Sequence, residues 1–122
     1  MIGYVTLGTN DLQRAAAFYD AIAKELGVGR MFETERFIAW GAPGAGAGVG
    51  LTTPYDGNAA TVGNGVMAAL QCKNREQVDR VYALARSMGA PCEGPPGERF
   101  PGFYAAYFRD PDGNKLNAFI MG

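Results

Sequence analysis

One pattern is written twice along this chain, and it restricts the fold more than any other feature. Residues 2–8 (IGYVTLG) form a short apolar run that reads as a strand. Asn10-Asp11-Leu12-Gln13 comes next. Asn10 is expected to cap a helix there, with Gln13 reaching back to it. Apolar or small residues recur at Leu12, Ala15, Ala16, Tyr19, Ile22, Ala23 and Leu26, one face of a helix that Gly27 ends. The plan then starts again. Residues 65–72 (GVMAALQC) are the strand and Asn74-Arg75-Glu76-Gln77 the cap. Val78, Val81, Leu84, Ala85 and Met88 form the stripe, and Gly89 is the stop.

Three strand-like pieces follow each helix. The first set is Gly29–Phe32, Arg36–Trp40 and Val49–Thr53. The second is a piece near Cys92, then Phe103–Arg109 and Lys115–Ile120, the last two joined by the turn signal Asp110-Pro111-Asp112-Gly113. The reading is an α+β chain of two tandem βαβββ modules, at about 1–53 and 66–122, with a polar linker at 54–65. Neither half buries enough apolar surface to stand alone, so 1–122 is expected to be a single domain. Its sheets should curve around a concave cavity with the helices outside. The glycine-rich Gly41–Gly50 segment lacks the Gly-Lys-Ser/Thr ending of a phosphate loop and is read as a hairpin connection. Gly94–Gly102 (GPPGERFPG) is read as a loop, with Arg99 as a candidate gate.

Composition narrows the function classes. The net charge of −1, with scattered basic residues, lacks the basic patch of a nucleic-acid binder. No run is long and apolar enough to cross a bilayer. Two cysteines, Cys72 and Cys92, make no disulfide framework. With no signal-peptide pattern, a cytoplasmic location is expected. The chain has no histidine to activate either thiol as a nucleophile.

The duplicated plan, with Asn10-Asp11-Leu12 ahead of Phe18-Tyr19 and a closing Arg109-Asp110-Pro111-Asp112-Gly113-Asn114-Lys115-Leu116, resembles the vicinal oxygen chelate superfamily of glyoxalases, bleomycin-resistance proteins and extradiol dioxygenases. The likeness covers essentially the whole chain, and the DPDGNK segment is its most specific piece. It is closest to small bacterial glyoxalase-like members. Metal-dependent members take ligands from four strand positions, usually histidine or glutamate. The resemblance puts those positions on Tyr4, on or near Gly50, on Met67 and on Asn117. A neutral phenol, a glycine, a thioether and an amide do not suit zinc, nickel or ferrous iron. The metal site is therefore expected to be lost and no cofactor is expected.

What remains is a set of candidate ligand-binding residues: Tyr4, Trp40, Thr52, Met67, Gln71, Tyr104, Lys115 and Asn117, with Thr6 and Ala69 beside them by strand alternation. Tyr4 is a candidate general acid and Asn117 a candidate oxyanion holder. The plainer reading is that these groups fill space a metal once took. The leading expectation is a metal-free protein that binds a small organic molecule and, like relatives of this size, forms a homodimer. The alternatives are a lactoylglutathione-lyase-type or related enzyme and a non-catalytic dimeric interaction protein. Bleomycin binders of the superfamily carry a strongly acidic surface, which a net charge of −1 does not supply.

Overall fold

A computed structural model describes all of residues 1–122. The order is β1 (Tyr4–Gly8), α1 (Leu12–Leu26), β2 (Gly29–Glu33), β3 (Phe37–Gly41), β4 (Gly48–Thr52), β5 (Ala68–Gln71), α2 (Arg75–Ser87), β6 (Cys92–Phe100), β7 (Phe103–Arg109) and β8 (Lys115–Met121). The strands form two four-stranded sheets ordered β1-β4-β3-β2 and β5-β8-β7-β6. In each sheet the first strand pairs parallel with the last, and the remaining pairs are antiparallel. The βαβββ plan thus occurs twice, and the two sheets are not hydrogen-bonded into one.

Strand alternation divides each sheet into two faces. One face carries Leu7, Ile38, Trp40 and Leu51 in the first module and Ala106, Phe108, Leu116 and Ala118 in the second. These residues and the helix stripes form a single core of 20 buried residues. The helices touch each other, and Phe18 of α1 lies 6.4 Å from Phe108 of β7, ring centre to ring centre. Neither module completes that core alone.

Both helix stops are as expected: Gly27 (φ +79°) and Gly89 (φ +89°) adopt left-handed backbone that other residues take only under strain. The cap of α1 differs. Asp11, not Asn10, occupies the cap and accepts from the Arg14 amide at 3.2 Å. Asn10 is drawn away because its side chain pins the linker, accepting from the Ala60 amide (2.7 Å) and donating to the Ala60 carbonyl (3.3 Å). In α2, Asn74 caps as expected, while the Gln77 side chain reaches back one residue further, to the Lys73 amide at 2.9 Å. The expected loop 94–102 is mostly strand. Its residues form most of β6, an edge strand broken by register shifts around Pro95 and Pro96, where missing amide donors are tolerated.

The DPDGNK turn is the main polar tie between modules. Asp110 is buried, and its carboxylate accepts from the Asp112 and Asn114 amides, from the Asn114 side chain and from the Tyr19 hydroxyl of α1 at 2.7 Å. Asn114 also donates to the Gly8 carbonyl at the end of β1 (2.9 Å). Asp112 accepts from the Asn10 amide and the Thr9 hydroxyl. Burial first, and then the Asp110 charge, push the Tyr19 phenol well above its ordinary 10.0, so it stays a donor. Asp110→Ala leaves the buried Tyr19 hydroxyl and Asn114 side chain without this acceptor. Urea unfolding is expected to show a loss of about 2–4 kcal/mol; a loss below about 0.5 kcal/mol, the ordinary scatter of surface changes, would mean the tie is not structural.

Candidate functional site

The face of each sheet that points away from the core is the open one. On it lie Tyr4, Thr6, Phe37, Gly50 and Thr52 in the first module and Ala69, Gln71, Lys115, Asn117 and Phe119 in the second, by alternation against the buried helix-facing residues. Cross-strand register sets Gly50 beside Thr6 and Ala39, and Asn117 beside Ala69 and Tyr107.

The predicted residues are not gathered into one cluster. Tyr4 is exposed and meets Phe37 edge-on, ring centres 6.2 Å apart. Met67 lies just before β5 and is exposed. The Thr52 hydroxyl donates to the Thr53 carbonyl, and Gln71 ends β5 exposed. The Lys115 ammonium lies 5.6 Å from the centre of the Tyr107 ring. Asn117 is 2 % exposed, and its Oδ1 is the one buried side-chain N or O atom in the chain without a hydrogen-bond partner.

Two of the predicted residues face the helices rather than the open side. Trp40 shares the helix-facing side with Ile38: it packs on Tyr19 at 5.5 Å, and its indole Nε1 donates to Asp20 at 2.8 Å. Asp20 also receives two 2.9 Å bonds from Arg30, and these are the main reason its carboxyl is held below 3.8. Tyr104 faces α2, where its hydroxyl donates to Asp79 at 2.6 Å under the Arg75 guanidinium. The Asp79 hydrogen bond is the first cause raising its phenol above 10.0. A one-residue error of phase moves a whole strand's side chains to the other face, and Trp40 was grouped with Thr52 across such a step.

Phe37 is the residue the sequence reading missed. A Cβ placed on Gly50 would lie 2.6 Å from Phe37 Cζ, so the ring fills the space a side chain at position 50 would need. Counting in twos along Phe37-Ile38-Ala39-Trp40 from the buried Ile38 would have put Phe37 on the open face. A cavity of about 570 Å³ opens between α1, β4 and β5, lined mainly by apolar residues that include Ile22, Leu26, Val49 and Leu70, and it reaches Ala69 and Phe119 of the second module's open face. It touches Trp40, Met67 and Gln71 but not Tyr4, Thr52, Tyr104, Lys115 or Asn117.

For a divalent metal the donor set does not fit. The four positions offer a phenol, no side chain, a thioether and an amide, and no group of three or more His, Cys, Asp or Glu converges anywhere in the chain. Both cysteines are free. Burial pushes the Cys72 thiol up to about 11, so it is protonated at neutral pH.

A family model for the glyoxalase/bleomycin resistance protein/dioxygenase superfamily matches residues 1–118. With the repeated βαβββ architecture in place, the chain belongs to that superfamily. It is 38 % identical to a glyoxalase/bleomycin resistance protein from Albidiferax ferrireducens T118, covering 98 % of this chain and 97 % of that one at a TM-score of 0.89. A lactoylglutathione lyase from Agrobacterium tumefaciens has the same fold at 21 % identity, TM-score 0.70, with 98 % and 92 % covered. So does a glyoxalase/bleomycin resistance protein/dioxygenase family enzyme from Burkholderia phytofirmans PsJN, at 19 % identity, TM-score 0.77, with 96 % and 95 % covered. No curated protein sequence matches the chain.

The two thiols should separate cleanly in reactivity. A thiol-exchange reagent at pH 7.5 is expected to modify the exposed Cys92 rapidly and Cys72 only on unfolding. Two fast equivalents in the native protein would show that the Cys72 strand opens readily.

Proposed function

We propose that the protein binds a small organic molecule on the open face of its sheets and does so without a divalent metal. Asn117 carries the reading. It stands where the resemblance places a metal-ligating glutamate, it is buried, and its carbonyl oxygen lacks a partner. A buried acceptor without a donor is costly, so a ligand donor above it is favoured. The crowding of Gly50 by the Phe37 ring supports the same conclusion, since a side chain at the equivalent position of the first module would have to displace that ring.

The aromatic and polar residues of the two open faces, Tyr4 and Phe37 in one module and Gln71, Tyr107 and Lys115 in the other, supply the mix of apolar contact and sparse polar handles that small-molecule sites use. A homodimer in the cytoplasm is part of this proposal. Exposed Ile2, Tyr4 and Phe32 give a second copy apolar surface to cover.

Metal decides between this reading and a lyase-type enzyme. Purified protein should hold no stoichiometric transition metal by elemental analysis after dialysis. Micromolar zinc, nickel or manganese should leave the melting temperature unchanged, because an ion that does not bind the native state cannot stabilise it. One retained equivalent, or a rise of several degrees, would favour the enzyme.

A further inference from the structure

The walls of the cavity between α1 and the sheets are chemically unlike the open face. Ile22, Ala23 and Leu26 of α1 form one side, and the helix-facing Trp40, Val49 and Leu70 form another. The connection from β3 to β4 adds Ala42, Ala45 and Ala47, so the glycine-rich segment contributes methyl groups and backbone only. Ala69, Gln71 and Phe119 border the cavity where it reaches the second module's open face.

These walls select their occupant. None of the 21 lining residues is Asp, Glu, Lys or Arg. The Tyr19 hydroxyl is spent on Asp110 and the Trp40 indole N–H on Asp20. The exposed Gln71 amide is left as the polar side chain a ligand can reach. A charged group inside such walls loses its water and gains no partner. Water itself fares poorly, because it needs two or more polar partners. An aliphatic chain needs none, and each methylene taken out of water adds to its binding. The volume of about 570 Å³ lies within the range of small-molecule sites.

We propose that this cavity is a second binding site, which takes an uncharged aliphatic molecule with one polar end, such as a medium-chain alcohol. The chain lies between α1 and the helix-facing residues of β3, β4 and β5, and the hydroxyl meets Gln71. The site is separate from the one on the open face, and neither reading depends on the other.

Trp40 is the one tryptophan of the chain, so its emission reports on this cavity. The probe is bromohexanol, added to the intact protein. Its bromine is expected to quench Trp40, and octanol is expected to reverse the quenching by competition. Affinity in that competition should rise about fourfold per methylene from butanol to octanol. Octanoate and octylammonium should each compete at least about tenfold less well than octanol. Ala47→Phe, on the exposed connection, fills the cavity with a ring and should abolish the quenching. Leu26→Gln places an amide among the walls and should weaken octanol about tenfold. The alcohol series on the unmutated protein decides the matter even if a variant fails to fold. No quenching by about 1 mM, a flat alcohol series, equal binding of either ion, or full quenching in both variants would overturn the proposal. Affinity that falls as the protein is concentrated would overturn it too, by showing that a second copy fills the cavity.

Discussion

A buried carboxylate holds this molecule's halves in register. Asp110 gathers donors from its own turn and from Tyr19 of the other module, while its neighbours Asn114 and Asp112 grip the end of β1 and the start of α1. A charge out of water persists only when it is fully hydrogen-bonded, and here three donors come from its own turn and the fourth from α1 of the other module. The turn therefore does more than reverse the chain between β7 and β8. It fixes the end of the first strand against the last hairpin, and with it the relation of the two open faces.

That frame and the chemistry of the open face are separate layers. The closing motif and the helix stops serve the frame and are intact. The four positions that would grip a cation serve the site and hold Tyr4, Gly50, Met67 and Asn117. In the first module the Phe37 ring lies over Gly50, where a Cβ would meet its Cζ at 2.6 Å. In the second module Asn117 places a buried amide oxygen without a partner.

The architecture was legible in the chain because its signals are local and repeated. Gly27, Asn74 and Gly89 each act through their own backbone geometry, and the apolar stripes of α1 and α2 follow helical spacing. The site was less legible because it depends on phase. Trp40 and Tyr104 are large, amphipathic and in strands, and nothing in their composition says which face they take. The core claimed both, with Asp20 and Asp79 receiving their polar ends. Asn10 lost the cap to Asp11 through a contact fifty residues away that spacing alone cannot show. The strand at 92–100 hid behind prolines and glycines that an irregular edge tolerates.

The account turns on what approaches Asn117. The most direct measurement follows its side-chain amide resonances while paramagnetic nickel or manganese is added to one equivalent. The resonances are expected to stay sharp and unshifted, because no set of donors beside Asn117 holds the ion. Selective broadening of Asn117 together with Met67 and Tyr4 would place a cation among them and contradict the account.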